Sequence, residues 1–133
     1  PSTETVSVLV AAAVVRHEGR ILLTKRPAGT HLEGFWEFPG GKVEANEDPR
    51  DAVARECREE CAIELDVGEI IDVIFHRFET KSVLLLFYAC TLKSGTSGEV
   101  QHLGVSDHVW VLPEELHQYP LPPADAPLLE KLT

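Results

Sequence analysis

Three glutamates, Glu56, Glu59 and Glu60, occupy positions i, i+3 and i+4 of a segment that follows two glycines, Gly40 and Gly41. On an α-helix this spacing places the three carboxylates in one arc of the helix surface. Two carboxylates about 5.5 Å apart repel by roughly 3 kcal/mol at an effective dielectric constant of 20. No basic residue follows any of the three at i+4 to relieve this repulsion. The segment is therefore either a solvated acidic face or a site for a hard divalent cation, which takes several oxygen ligands.

Signals for the start of a helix precede these glutamates. Asp48 suits the N-cap position and Pro49 the first helical position, so we predict a helix over residues 48–62. Four small or apolar side chains share one side of this helix and are expected to face the core: Val53, Ala54, Cys57 and Cys61. The three cysteines of the chain form no CxxC pair and no zinc spacing, so we expect reduced thiols that pack as small apolar groups.

The rest of the chain alternates between β-rich stretches and turn-forming residues. Six stretches predict strands: Val6–Val15, Ile21–Lys25, Phe35–Phe38, Val67–Phe78, Val83–Leu92 and His108–Leu112. Two further helices are predicted at Pro113–Leu116 and Asp125–Leu132, and loops at Pro39–Gly41, Lys93–Gly104 and Pro120–Pro123. Several strand pairs are expected to be antiparallel, although strands also alternate with helices. We therefore predict a single α/β domain over residues 1–133, built on a mixed β-sheet.

The charge balance limits the classes of partner. The chain carries 12 Lys and Arg against 22 Asp and Glu, a formal net charge of −10. A protein that binds nucleic-acid backbones needs a basic face, so we expect no nucleic-acid partner. A small anionic substrate remains possible because a divalent metal can bridge two anions. The apolar run Val6–Val15 is too short to span a membrane, and the free cysteines suit a reducing compartment. We therefore expect a cytoplasmic protein, either a monomer or a homodimer.

The spacing of charged residues around the glutamates is specific. Five residues separate Gly41 from Glu47, and seven separate Glu47 from the run RECREECAI at residues 55–63. This pattern resembles the Nudix box, G-x5-E-x7-R-E-U-x-E-E-x-G-U, where U is a bulky aliphatic residue. Six glycine or charged positions match, and a chance match at a given start has a probability on the order of 10⁻⁷. There are two departures: Cys57 stands at an aliphatic position and Ala62 at a glycine position.

The resemblance covers almost the whole chain. The segment GFWEFPGGKVE at residues 34–44 is similar to the MutT branch of the family. The segment YPLPPADAPLLEKL at residues 119–132 resembles the C-terminal part of MutT-type enzymes, and more closely that of bacterial CTP pyrophosphohydrolases. The resemblance implies the Nudix fold, a mixed sheet between helices with the box as loop–helix–loop. It also implies hydrolysis of a nucleoside triphosphate to monophosphate and pyrophosphate with Mg²⁺ or Mn²⁺ as cofactor.

The resemblance also assigns roles in the chemistry. The Gly40 carbonyl and the side chains of Glu56, Glu59 and Glu60 would hold the metal, and one of these glutamates would orient or deprotonate the attacking water. Arg55 would pair with Glu47 and brace the loop against the helix. MutT-type enzymes often add a metal-binding carboxylate before the last strand, but this chain has Gly104 there. The sequence offers three possible substitutes nearby: Glu99, His102 and Asp107.

Six residues are implied in substrate binding. Arg26 and Lys81 match phosphate-contacting positions, His31 a loop histidine near the nucleotide, and Phe38 and Phe78 the aromatic residues of the base pocket. Asp125 stands where MutT carries Asn. An ionised Asp only accepts hydrogen bonds, so it would favour the amino group of cytosine or the N1–H and amino group of a guanine. The predicted substrate is thus a cytidine-type or oxidised purine triphosphate such as 8-oxo-dGTP, although Asp125 also fits a simple helix cap.

Two other functions remain open from the sequence. One is hydrolysis of a nucleoside diphosphate sugar or a dinucleotide. Against it, no proline lies between Pro49 and Pro113, and no tyrosine precedes Tyr88. The other is a catalytically weak Nudix module that only binds nucleotides. Such modules usually lose the helix glutamates, which this chain retains. The expected role of the enzyme is sanitation of the nucleotide pool or pyrimidine metabolism.

Overall fold

The computed structural model describes residues 6–133, and this part of the chain forms seven strands and two α-helices with two short 3₁₀ helices. The strands are β1 (Val6–His17), β2 (Arg20–Lys25), β3 (Trp36–Glu37), β4 (Gly40–Lys42), β5 (Leu65–Arg77), β6 (Lys81–Leu92) and β7 (Asp107–Val111). The helices are α1 (Pro49–Cys61) and α2 (Ala126–Leu132), and the 3₁₀ helices span Pro113–Gln118 and Pro123–Asp125. Among these residues, no helix has the length and apolar character needed to cross a bilayer.

The strands form one mixed sheet in the order β3-β2-β1-β6-β5, with β4 paired to β1 and β7 to β2. Strand β1 runs parallel to β6, and all the other pairs are antiparallel. The predicted α/β class with a mixed sheet is confirmed, and β1–β2 and β5–β6 are antiparallel pairs of consecutive strands. Strand β1 changes partner along its length, since Val10–Ala12 pair with β4 and Arg16–His17 with β2.

Strand β1 is buried on both faces, which explains its continuous apolar run. One set of its side chains packs in the core under α1: Ala11, Ala13 and Val15. The alternate set, Ala12 and Val14, packs in a second core with α2 and the 3₁₀ helix Pro113–Gln118. A strand covered on both faces needs apolar residues at successive positions rather than at every second one. The sheet therefore lies between α1 on one face and α2 on the other.

Helix α1 begins and ends within one residue of the predicted bounds. The Asp48 side chain accepts a hydrogen bond from the Arg50 backbone N–H at 2.9 Å, as an N-cap does. At the other end Ala62 adopts the left-handed conformation, with φ 57° and ψ 37°, and its N–H donates to the Arg58 carbonyl at 3.0 Å. Glycine adopts this conformation without the steric penalty that alanine has.

Replacing Ala62 with Gly is expected to stabilise the fold by about 0.5–1 kcal/mol. The left-handed conformation costs an L-residue about 1–2 kcal/mol, and the extra freedom of glycine in the unfolded chain offsets about 0.5–1 kcal/mol of the gain. Urea denaturation would measure the change. The control is Ala45→Gly at an exposed position whose φ is not left-handed, and it should lose stability. Equal destabilisation by both variants would contradict this account of the helix end.

Several element bounds differ from prediction because tertiary pairing decides them. Gly40–Lys42, predicted in part as a loop, forms strand β4 against β1. The third strand is confined to Trp36–Glu37, whereas β5 and β6 each begin two residues earlier than predicted. The predicted helix at Pro113–Leu116 is a 3₁₀ helix. The final helix begins at Ala126, and Asp125 makes no capping hydrogen bond with its side chain. Capping therefore does not account for the presence of Asp125.

Candidate active site

Helix α1 presents its glutamates beside a buried apolar face. The buried side chains are Ala52, Val53, Cys57 and Cys61, which pack in the core under the helix, while Ala54 is only half-buried. All three thiols of the chain are free and buried, as expected. The three predicted glutamates differ in environment: Glu59 is 58% exposed, Glu56 is 19% exposed, and Glu60 is half-buried. The helix thus carries a carboxylate arc that runs from solvent into the protein.

The Arg55 guanidinium links this arc to the preceding loop. It donates to both Glu47 oxygens at 2.9 and 3.1 Å and to the Lys42 carbonyl at 3.1 Å. It also donates to Glu56 at 2.8 Å and to Glu59 at 3.2 Å. The hydrogen bond from Arg55 is the main reason that the pKa of Glu47 is lowered. One side chain therefore fixes the loop before α1 and orients two of its glutamates.

Glu60 is the least well accommodated of the three glutamates. Its Oε1 is buried and has no hydrogen-bond partner. Burial, followed by the charges of Glu56 and Glu37, raises the pKa of Glu60 to about 8, and Arg26 opposes the rise. A buried carboxylate oxygen without a partner is costly unless a cation or a proton satisfies it. This environment therefore favours a proton on Glu60 or, in its place, a bound cation.

The two glycines before α1 allow close packing of the backbone, Gly40 against strand β1 and Gly41 against Glu56. A side chain on Gly40 would collide with the Ala11 carbonyl of the neighbouring strand, and one on Gly41 with the Glu56 carboxylate. Only glycine fits at position 40, where the obstacle is backbone, whereas a larger residue at position 41 would displace the Glu56 carboxylate. Backbone and carboxylate oxygens together make an all-oxygen donor set, which hard divalent cations such as Mg²⁺ and Mn²⁺ prefer. The residues present therefore fit such a cation.

A cleft of about 320 Å³ lies on the face of the sheet opposite α1 and includes both glycines in its wall. This volume is within the range of small-molecule binding sites. The cleft brings together all six residues that were predicted to bind substrate: Arg26, His31, Phe38, Phe78, Lys81 and Asp125. Because Gly41 lies against Glu56, the cleft and the carboxylate arc meet at β4.

One buried acid and one half-buried acid line this cleft. Asp125 is only 6% exposed, and its pKa is raised to about 7 by burial and by the charge of Glu37. The pKa of Glu37 is also raised by burial, although Arg26 opposes the shift with two 3.3 Å hydrogen bonds. Sequence reasoning missed Glu37. The available signal was a glutamate between Trp36 and Phe38 on a short strand, since Glu is rarely placed among core aromatics without a partner.

Aromatic side chains occupy two places in the cleft. Phe38 is buried and meets Phe87 edge to face at 5.9 Å, so it serves both as core and as cleft wall. Phe78 is 37% exposed and lies near His76, which sequence reasoning also missed, with ring centroids 4.4 Å apart. Two predicted substrate residues surround Phe78: His31 at 6.2 Å and the Lys81 ammonium at 5.8 Å from the ring. Phe78 therefore belongs to a polar–aromatic cluster rather than to the core.

Gly104 stands where MutT-type enzymes often carry an extra metal-binding carboxylate. In the structure it lies next to Glu60. Its N–H donates to the Glu60 carbonyl at 3.1 Å, and an added Cβ would lie 3.0 Å from Glu60 Cγ. Within residues 6–133, none of the three possible substitutes makes a hydrogen bond or ion pair with the helix glutamates: Glu99, His102 and Asp107. The loop therefore supplies backbone contacts to Glu60 but no carboxylate.

Comparison with known proteins agrees with this arrangement. The family model described as "NUDIX domain" matches residues 10–131. The chain is 45% identical over 123 residues to the CTP pyrophosphohydrolase of Escherichia coli, covering 91% of this chain and 87% of that protein. It is 31% identical over 124 residues to the 8-oxo-dGTP diphosphatase of the same organism, covering 92% and 94%. The crystal structure of MutT protein from Methanosarcina mazei Go1 superposes with a TM-score of 0.86 at 26% identity, covering 98% and 96%.

Proposed function

This chain belongs to the NUDIX domain family, and from this premise we propose that it hydrolyses a nucleoside triphosphate to a monophosphate and pyrophosphate. One observation carries the proposal: Gly41, in the wall of a nucleotide-sized cleft, lies directly against the Glu56 carboxylate. Both named E. coli relatives act on nucleoside triphosphates, as their names state. Acting on free nucleotides, the enzyme would work in the cytoplasm on the nucleotide pool.

Four groups of this chain would hold the cation, Mg²⁺ or Mn²⁺: the Gly40 carbonyl, Glu56, Glu59 and Glu60. Once bound, the cation would supply charge neutralisation at the phosphates and a more acidic water. Two observations support this assignment: Glu60 Oε1 has no hydrogen-bond partner, and Gly41 lies directly against the Glu56 carboxylate. Arg55 would keep Glu56 and Glu59 oriented through its hydrogen bonds to both. One helix glutamate would accept the proton of the attacking water.

Two basic side chains would bind the phosphates. Lys81 is exposed at the cleft, and its ammonium is free to move toward an anion. Arg26 also lines the cleft, but Glu37 already engages its Nη1 group. Arg26 would therefore contact a phosphate with its remaining N–H groups while Glu37 keeps the guanidinium in place.

Asp125 would contact the base. At a pKa of about 7, Asp125 exists in both protonation states near neutral pH. The protonated form donates and accepts, which matches the N3 acceptor and the amino donor of cytosine. The ionised form only accepts, which matches the N1–H and amino group of an oxidised guanine. We therefore infer that Asp125 admits cytidine-type and oxidised purine triphosphates, each through a different protonation state.

Replacing Asp125 with Asn tests whether the protonation state of Asp125 determines which base is bound. The amide donates and accepts like the protonated acid, so turnover of CTP and dCTP should be retained. Turnover of 8-oxo-dGTP should also persist, since MutT-type enzymes carry Asn at this position, but neither rate should change with pH near 7, because an amide does not ionise. In the wild type, kcat/KM should fall for dCTP and rise for 8-oxo-dGTP as pH rises through about 7. Chromatographic separation of the products would give each rate.

Asp66→Asn is the matched control, since Asp66 is exposed on β5 and should leave both rates unchanged. If Asp125→Asn lowers the turnover of both substrates to the same extent, Asp125 does not recognise the base. Such a loss would leave a general structural role for Asp125 instead.

A further inference from the structure

Two histidines and an aspartate converge where the loop before β7 ends. The His102 Nε2 and His108 Nδ1 atoms are 2.8 Å apart, and the His102 Nε2 lies 3.9 Å from the Asp107 carboxylate. All three ligand atoms lie within 4.8 Å of one another. His102 and Asp107 are exposed and His108 is half-buried, so an ion in solution can reach them. None of the three is part of the carboxylate arc on α1.

The backbone that carries these side chains is held at both ends. Ahead of and behind His102, the N–H groups of Gln101, Leu103 and Gly104 donate to the last carbonyls of α1 at 3.0–3.1 Å. On the other side, the Ser106 N–H donates to the Lys25 carbonyl at 3.0 Å. His108 then lies in β7, opposite Thr24 of β2. The backbone on both sides of the ligands is thus fixed, and the 2.8 Å contact between the two imidazoles already brings their ligand atoms together.

The donor set indicates a class of metal different from that of the α1 site. Imidazole nitrogens favour Zn²⁺ and neighbouring transition metals, whereas Mg²⁺ takes oxygen ligands. Zn–N bonds are about 2.0–2.1 Å long, so two nitrogens in a tetrahedral site lie about 3.3 Å apart. The two imidazoles would therefore need to separate by only about 0.5 Å. Three protein ligands would leave the fourth position to water.

We propose that His102, Asp107 and His108 form a second cation site, for Zn²⁺ or a similar transition metal, distinct from the carboxylate site on α1. An ion there would tie the loop to β7. Through the hydrogen bonds of Leu103 and Gly104, it would also hold the loop against the backbone of Glu60. This inference rests on the His102–Asp107–His108 cluster alone and does not depend on the proposed function.

Isothermal titration calorimetry with ZnCl₂ on the full chain, in buffer with excess Mg²⁺, tests the proposal. The wild type should bind one equivalent of Zn²⁺ and melt at a higher temperature when it is bound. His102→Ala should weaken this binding by at least about 100-fold, since loss of an indirect partner alone costs a metal site 10–100-fold. His108→Ala should have the same effect, and circular dichroism would confirm that each variant is folded.

His117→Ala is the control, because His117 is exposed on the 3₁₀ helix and lies outside the cluster. It should bind Zn²⁺ like the wild type. His102 is exposed, so His102→Ala decides the matter even if His108→Ala does not fold. Wild-type affinity in His102→Ala, or no stoichiometric binding by the wild type, would overturn the proposal.

Discussion

Glu60→Gln is expected to lower kcat by at least about 100-fold, the lower end of what a positioned acid–base group contributes. Glutamine has nearly the same shape but cannot be ionised, so it neither accepts the water proton nor contributes charge to a cation. Nucleotide affinity should change far less, because the base and phosphates contact other residues of the cleft. Steady-state kinetics, together with nucleotide binding in Ca²⁺, would separate kcat from affinity. A variant with unchanged kcat would contradict the role given to Glu60.

The same variant has a second, independent signature. The pKa of Glu60 is raised to about 8, above its usual value, so the folded protein prefers the protonated form. This preference contributes stability below the unfolded-state pKa, and the contribution is lost as pH rises through about 8. In the absence of metal, the melting temperature of the wild type should therefore fall as pH rises from about 4.5 to about 8 and level off above that, and that of Glu60→Gln should fall less over the same interval. Glu64→Gln is the control, since Glu64 lies near the surface, paired with Arg58 at 2.8 Å.

Arg55→Ala should lower kcat/KM by about 10–100-fold, the usual cost of losing a group that orients metal ligands. Its guanidinium contacts Glu47, Glu56, Glu59 and the Lys42 carbonyl, and no other side chain replaces those bonds. Without it, three carboxylates repel one another and the loop before α1 loses its anchor. Arg55→Lys should recover little activity, because an ammonium cannot reach these groups at once. When activity is measured at rising Mg²⁺, the variant should need a higher Mg²⁺ concentration than the wild type to reach its maximal rate.

Arg58→Ala provides the matched control. Arg58 lies on the same helix and also makes two hydrogen bonds to one carboxylate, but that carboxylate is Glu64, outside the site. Loss of the Arg58–Glu64 pair should change the free energy of unfolding and the activity only slightly, because exposed ion pairs typically contribute about 0.2–1 kcal/mol. Equal losses of activity in Arg55→Ala and Arg58→Ala would show that general helix stability, rather than organisation of the glutamates, is responsible.

Local signals predicted the part of the site that one helix carries. The N-cap at Asp48, the proline after it and the spacing of the glutamates depend on residues within a few turns of one another. The bounds of α1 therefore followed from local signals, whereas the contact of Arg55 with Glu47 was implied by the resemblance to the Nudix box. The strand at Val6–Val15 was likewise predicted from its uninterrupted apolar run, and its burial on both faces accounts for that run.

Features that depend on distant segments were not predictable in this way. Strand β4 contains two glycines, which have low β-propensity, and only its pairing with β1 makes it a strand. The meeting of Glu37 with Asp125 joins positions far apart in the chain, and neither residue alone signals the other. The same holds for Gly104 and Glu60, whose contact arises because the loop folds back over the end of α1. In each case the tertiary register decides the outcome.

The most direct test of the central claim is identification of the products. Purified protein would be incubated with CTP, dCTP, dGTP, 8-oxo-dGTP or ADP-ribose, with Mg²⁺, with Mn²⁺ or with a chelator, and the products separated by chromatography. We expect nucleoside monophosphate and pyrophosphate from one or two of the triphosphates, only when a divalent cation is present. Cleavage of ADP-ribose in preference to every triphosphate, or no cleavage with either metal, would contradict the account.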